Sequence, residues 1–260
     1  MEASSRIVPR SLGGRTAIVT GSGRNIGRAI ALALAEAGAN VVINGHRNVG
    51  ALDEVVDECR EKGVGALACL ADVGCPDAVS GMVEAARACF GSVDIAVSNV
   101  SVRKHQPFME ISVEDWQRTL NSNLSSAFYL ARAVLPHMQK AGWGRIVHIS
   151  GRDGFRPKPN RAHNVTCKAG VFALSKAIAL EFGPYGITAN TVAPGIVDTE
   201  RDPVHYPGYV EEYERRRQLM PTRRLGVPSD IASAVRYLCQ DEARYMTGQI
   251  MHVNGGEHMF

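Results

Sequence analysis

Residues 20–27 read Thr20-Gly21-Ser22-Gly23-Arg24-Asn25-Ile26-Gly27, directly after the β-branched run that begins at Thr16 and directly before a helical pattern starting at Ile26. A strand that feeds a glycine-rich turn and then a helix is a βα unit whose backbone N–H groups approach a pyrophosphate closely. The spacing is not GxGxxG, because Ile26 stands where the third glycine would fall. It is TGxxxGxG with one change, Asn25 at the middle glycine. Asparagine is the residue that best tolerates the left-handed backbone region after glycine, so the turn still forms.

Outward from this turn the same alternation repeats. Strands are expected at Thr16 to Thr20, Asn40 to Ile43, Ala66 to Leu70, Asp94 to Ser98, Arg145 to Ile149, Thr188 to Val192 and Ile250 to Val253. Helices are expected at Ile26 to Ala37, Ala51 to Lys62, Ala78 to Phe90, Val113 to Met138, Ala162 to Phe182 and Asp230 to Leu238, with starts marked by Ser112 and Ser229. The pattern predicts an α/β fold: a doubly wound, seven-stranded parallel sheet flanked by helices on both faces. No repeat or Gly/Ser linker divides the chain, so residues 1–260 are expected to form one domain. Residues 198–222 lack periodicity and carry proline and glycine breakers, which suggests a substrate lid.

Composition narrows the function. Hydrophobic residues are 45% and charged residues 21%, the balance of an ordinary globular chain rather than a disordered or fibrous one. The net charge of +3 is too small and dispersed for a nucleic-acid or membrane footprint. The run Glu211 to Arg217 is the local exception, read either as a solvated helix face or as a charged lid. Six cysteines show no CxxC pair and no histidine at zinc spacing, so reduced thiols and no metal are expected. The first fifteen residues lack a hydrophobic core segment, and the longest apolar stretch is far too short to span a bilayer. A cytoplasmic protein is the expectation.

Further residues recur in order along nearly the whole chain: Ala71-Asp72-Val73, Asn99, Asn123, Lys168 and Pro194-Gly195, then Arg224-Leu225-Gly226, Asp230-Ile231-Ala232, Tyr245-Met246-Thr247-Gly248-Gln249 and Asn254-Gly255-Gly256. With the glycine turn, they make the sequence resemble the short-chain dehydrogenase/reductase family, and within it the 3-oxoacyl-carrier-protein reductase-like branch. The resemblance implies a Rossmann-type oxidoreductase acting on a small-molecule carbonyl or alcohol, and a homo-oligomer, dimer or tetramer. It implies an NAD(P)(H) site with Gly21, Asn25, Ile26 and Gly27 at the pyrophosphate, Asp72 and Val73 at adenine, and Asn99 at the floor of the crevice. Lys168 would hold the nicotinamide ribose; Val197 and Thr199, after Pro194-Gly195, would meet the carboxamide and phosphates. After the second strand, Asn44-Gly45-His46-Arg47 carries no carboxylate for a ribose 2′-OH, while Arg47 and Arg24 supply cations for a 2′-phosphate. NADP(H) is therefore favoured over NAD(H), the alternative being two solvated arginines.

The sequence departs from the family where the family does its chemistry. Family members use Tyr-x-x-x-Lys on one helix face, the tyrosine protonating the carbonyl; four residues before Lys168 stands Asn164. The serine position, thirteen residues earlier, is Gly151, one past Ser150. An amide does not donate a catalytic proton, and general acid catalysis is worth about 10²- to 10⁴-fold, so ordinary redox activity should be low unless a group substitutes. Ser98-Asn99-Val100-Ser101 also replaces Asn-Asn-Ala-Gly after the fourth strand.

The candidates left for catalysis are Lys168, Asn123 and His163, although a helix turns His163 about 100° from position 164, which favours a structural or solvent-facing role. Arg152 and Asp153 are the candidate substrate residues: the arginine suits an anion, or the two pair with each other or meet the Pro157-Lys158-Pro159 loop. His105 and His148 are read as structural, Cys167 as a small buried hydrophobe, and Tyr206 and Tyr209 as possible donors from the lid. Three functions stay open: an NADP(H)-dependent oxidoreductase with an atypical proton donor; a non-redox enzyme performing hydration, elimination or C–C cleavage; and a catalytically silent nucleotide-binding sensor or partner subunit.

Overall fold

The computed structural model describes residues 10–200 and 209–259, the side chains of 209–212 apart. All seven expected strands form: β1 (Thr16–Val19), β2 (Asn40–Gly45), β3 (Ala66–Leu70), β4 (Ile95–Ser98), β5 (Gly144–Ile149), β6 (Ile187–Pro194) and β7 (Ile250–Val253). They pair in parallel in the order β3-β2-β1-β4-β5-β6-β7. The helices are α1 (Asn25–Glu36), α2 (Val49–Glu61), α3 (Pro76–Phe90), α4 (Val113–Leu120), α5 (Ser126–Ala141), α6 (Ala162–Phe182), α7 (Tyr209–Leu219) and α8 (Pro228–Cys239).

Period-two alternation along the strands divides the core into two layers. Ala17, Val19, Val41 and Ile43 join Ile30 and Leu34 of α1, Leu52 and Val55 of α2, and Ile231 and Val235 of α8. The intervening Ile18 and Val42 face the other way, onto Val79 and Val83 of α3, Leu130 and Val134 of α5, and Ile178 of α6. Burying one such side chain fully is worth about 1.5–3 kcal/mol. These alternating residues therefore fix which helix lies on which face. Among the described residues, no helix is long and apolar enough to cross a membrane.

Two local readings need correction. The helix expected over 113–138 is broken: after α4, residues Asn121–Ser125 make a π turn before α5 resumes. Such a turn inserts a residue and rotates the helix beyond it, and it is a common feature of functional sites. Here it carries the buried Asn123. Ser112 does cap α4, accepting from the Asp115 N–H at 3.1 Å. Ser229 does not start α8, because Pro228, whose missing N–H costs nothing at a first position, already lies in its first turn. The charged run Glu211 to Arg217 lies within α7, with Glu214, Arg215 and Arg217 exposed.

The order of strands reverses between β1 and β4, and ligands of such sheets bind in the crevice outside the carboxyl ends at that point. The glycine turn, the loop after β4, the turn after β5 and the loop after β6 all gather there.

Candidate functional site

The crevice half of the site is built from backbone. Gly21 takes φ +62°, and a Cβ on it would lie 2.9 Å from Val100 Cγ2. At Gly27 a Cβ would lie 2.1 Å from the Gly21 carbonyl oxygen and 2.7 Å from Asn99 Nδ2, so α1 enters flush against the turn. Asn25 adopts φ +52°, the left-handed conformation its side chain tolerates. No side chain caps α1 and no carboxylate lies in its first turn. Its leading N–H groups and positive dipole end therefore face the crevice unanswered, the arrangement that suits an anion such as a dinucleotide pyrophosphate.

Two asparagines brace this turn. Asn44 Oδ1 accepts from Gly21 N at 3.2 Å, while its Nδ2 donates to the carbonyls of Cys69 and Ala71 at 3.2 and 3.1 Å. Asn99 Nδ2 donates to the carbonyls of Thr20 and Gly21 at 3.1 and 3.0 Å. Both hydrogens of the Asn99 amide are thus spent on the protein, and its position in the crevice is that of a brace. Beyond Asn44, Arg47 is exposed, as is Arg24 across the turn, and neither makes an ion pair among the described residues. Asp72 is exposed after β3, its Oδ1 accepting from Gly74 N at 2.9 Å, and Val73 is buried beside it.

The loop after β6 closes the far side. Pro194 ends the strand, and Gly195 lies so close to Asn254 that a Cβ would sit 2.7 Å from its Cα. Val197 is buried and bridges Gly226, and Tyr213 of α7 donates its hydroxyl to the Val197 carbonyl at 3.2 Å. One residue past Thr199, Glu200 is bound through its main chain to Asn25: N to Oδ1 at 3.1 Å and O to Nδ2 at 3.3 Å. Residues 201–208 of the expected lid, Tyr206 among them, lie outside the described residues, as does the Tyr209 side chain.

The pocket half is built from side chains. Asn164 and Lys168, one turn apart on α6, are both buried. Asn164 Nδ2 donates to Asp153 Oδ2 at 3.1 Å, and its Oδ1 accepts from Asn123 Nδ2 at 3.4 Å. Asn123 in turn exchanges two 2.7 Å bonds with the main chain of Val102. Since an ionised carboxylate only accepts, Asp153 fixes which way the Asn164 amide points. Arg161 holds the same carboxylate oxygen at 2.9 Å. Burial alone would raise the Asp153 carboxyl, but Arg161, Arg152 and Arg103 outweigh it and hold it below the usual carboxylate range.

Lys168 Nζ donates to the Ile149 carbonyl at 3.0 Å. Burial disfavours its charged form and Arg103 adds repulsion, which together push the ammonium down to about 7. Ser150 turns away from the pocket and donates to the Lys168 carbonyl at 2.8 Å; β5 keeps the register that leaves Gly151 next to the site. Gly151 is extended, and a Cβ there would meet nothing within 4 Å.

Arg152 is not chiefly paired with Asp153, which lies 4.0 Å away. Its partner is Glu257 at 2.6 Å, a carboxylate that Arg216 of α7 also reaches at 3.6 Å. His163 is fully enclosed, with neither ring nitrogen bonded among the described residues, so it does not join this network. His148 bonds Ser175 at 2.7 Å, and burial pushes its imidazole down to about 4. Cys167 is buried with its thiol pushed up to about 11 by desolvation. Sequence reasoning does not single out Asn44, Arg161, Glu257 or Arg216 as site residues. Of these, Asn44 carries a readable signal, a lone polar residue ending the apolar run Val41 to Ile43.

A family model described as enoyl-(acyl carrier protein) reductase matches residues 21–258. A 3-oxoacyl-[acyl-carrier-protein] reductase of Staphylococcus epidermidis is 36% identical over 94% of this chain and 99% of its own. A (2S)-[(R)-hydroxy(phenyl)methyl]succinyl-CoA dehydrogenase subunit of Thauera aromatica is 36% identical over 95% and 97%. Among solved structures, one described as a short-chain alcohol dehydrogenase from Sinorhizobium meliloti 1021 superposes with a TM-score of 0.88 at 32% identity, covering 96% of this chain and 98% of that one.

Proposed function

The chain belongs to the short-chain dehydrogenase/reductase family of oxidoreductases, and from that premise we propose that it is an NADP(H)-dependent oxidoreductase of a carbonyl or alcohol substrate with an atypical proton donor. The observation that carries the cofactor reading is the uncapped N-terminus of α1 behind the Gly21–Gly27 turn, at the strand-order reversal. A bound nicotinamide would supply hydride to, or take it from, the substrate carbon. The chain's own groups do the rest. Gly21, Asn25, Ile26 and Gly27 hold the pyrophosphate, Asp72 and Val73 the adenine, and Lys168, Val197 and Thr199 the nicotinamide end. Arg24 and Arg47, exposed and without a competing carboxylate after β2, favour the 2′-phosphate.

Arg152 and Arg161 stand at the proposed substrate end, beside Glu257 and Asp153. A planar guanidinium at that place supports a substrate with an anionic group of its own. The Thauera relative is named for such a compound, a succinyl-CoA. Segment 198–222, with α7 latched to Glu257, serves as the lid over that substrate. Exposed Phe108, Met109, Val113 and Leu180 support burial of apolar surface against further copies.

The test is a pair of titrations: NADPH binding by fluorescence, then NADPH oxidation with a panel of ketones and β-keto thioesters, for wild type and for Asn164→Tyr combined with Gly151→Ser. Binding with oxidation by the wild type is the expected result. One specific observation favours a second reading. The chain Val102–Asn123–Asn164–Asp153 contains no hydroxyl, so hydration, elimination or C–C cleavage, with the nucleotide held but not turned over, also fits it. Binding without oxidation until the double substitution is made would select that reading or a silent, regulatory one.

A further inference from the structure

We propose that Lys168 is the proton donor of this enzyme, delivering its proton from Nζ directly to the substrate oxygen in the role that the resemblance gives to position 164. The inference rests on the reductase reading above and deepens it.

Among the described residues, few buried ionisable groups are left for the task. Asn164 and Asn123 are amides whose bonds to each other, to Asp153 and to Val102 fix their orientation, and amides do not release protons at neutral pH. Asp153 is ionised, its Oδ2 accepting from both Arg161 and Asn164, and so has no proton to give. The Ser150 hydroxyl is spent on the Lys168 carbonyl. His163 makes no bond with any of these groups. Lys168 remains: it lies one helical turn from Asn164 on the same face, buried, and its bond to the Ile149 carbonyl leaves N–H hydrogens over.

The groups facing Lys168 are the charged Arg103 from the loop after β4 and Asp153 from the turn after β5, and the neutral Cys167 thiol from its own helix. Desolvation and Arg103 bring the ammonium into the range where it can both hold and release a proton at neutral pH. In the reduction, with hydride supplied by a bound NADPH that would leave as NADP+, a C–H bond forms at the substrate carbon and the carbonyl π pair moves onto oxygen. That oxygen takes the proton from Nζ, leaving a neutral amine that water reprotonates. In the reverse direction the neutral amine accepts the alcohol proton.

Two measurements test this. The first needs no turnover: an NMR titration of 13Cε-labelled lysine, with the Lys168 resonance assigned by its loss in Lys168→Met, is expected to show it titrating near 7. A resonance titrating at the ordinary lysine value of about 10.4 overturns the proposal alone. The second is Lys168→Arg, which keeps the positive charge but does not release a proton near neutrality. NADPH affinity is expected to stay within about threefold, while kcat for reduction falls at least 100-fold and lacks the decline above pH 7 expected of wild type. If kcat and affinity fall together, Lys168 only holds the cofactor. His105, exposed and within the field of Arg161 and Asp153, is the competing donor. If His105→Gln removes the pH dependence and Lys168→Arg does not, the proposal fails. A wild type that binds NADPH but oxidises it with no panel compound overturns the reductase reading and this proposal with it.

Discussion

Gly27 and Gly151 stand at the two ends of the same crevice and are opposites. A Cβ on Gly27 would strike the Gly21 carbonyl at 2.1 Å, whereas one on Gly151 would meet nothing within 4 Å. The first glycine is there because the backbone admits nothing else. The second occupies open, extended backbone where any residue fits. The difference separates the two halves of the site. The end proposed for the cofactor is constrained by main-chain packing; the end proposed for the substrate is a set of side chains on backbone with room to spare.

The largest expected effect attacks the constrained end. Gly27→Ala forces backbone apart at the α1 entry, and overpacking of this kind costs about 3 kcal/mol, a Tm lower by roughly 10 °C for a chain this size. The turn that would hold the pyrophosphate is displaced too, so NADPH affinity should fall about 100-fold. Thermal unfolding and fluorescence titration together decide it. A variant with wild-type Tm and affinity would mean that the turn is looser than its packing implies.

At the substrate end the strongest single dependence is Asp153 on Arg161. Removing one partner of a largely buried pair costs about 3–5 kcal/mol, and partial exposure of Arg161 reduces this to about 2 kcal/mol for Arg161→Ala at pH 7. The sign with pH comes from the depressed Asp153 carboxyl. Its stabilisation is complete above the unfolded value of about 3.9 and is lost as pH falls through the lower folded value. Urea unfolding of wild type and variant should therefore differ most at pH 7 and converge on acidification. A gap that persists in acid would assign the loss to packing instead.

Legibility in the sequence divides along the same line. The seven strands, their parallel sense and the glycine turn rest on local patterns, period-two burial and a βα junction, which lie within a few residues of each other. Asn25 in the left-handed region is legible for the same reason. The π turn around Asn123 is not, because nothing in Asn121 to Ser125 distinguishes it from the helix on either side. The substrate end depends on pairs far apart in the chain. Arg152 meets Glu257 across 105 positions, and Asn164 meets Asn123 across 41. From sequence, mutual pairing of Arg152 and Asp153 is one of the open readings; the fold gives each a nearer partner.

A smaller effect tests selectivity at the cofactor end without touching its backbone. Arg24→Ala with Arg47→Ala should weaken NADPH binding about tenfold, roughly 1.4 kcal/mol, and leave NADH binding unchanged, because only the 2′-phosphate calls on these two exposed cations. Equal weakening of both cofactors would show that the arginines act on the pyrophosphate or on the general field. Raising the salt concentration should shrink the difference, as it does for any exposed charge contact.

The smallest expected effect completes the contrast with Gly27. Gly151→Ala places a methyl group in open space on extended backbone, so no contact is lost and no strain is introduced. The unfolded chain, however, loses freedom, which favours the folded state by about 0.4–1 kcal/mol. A Tm equal to wild type or about one to three degrees higher is the expected reading. With Gly27→Ala roughly ten degrees below wild type and Gly151→Ala at or above it, the same substitution would report a closed backbone at one end of the crevice and a vacated side-chain position at the other. A destabilised Gly151→Ala would mean that the turn after β5 needs a glycine after all, and the residue at that position would then answer to the backbone rather than to the chemistry.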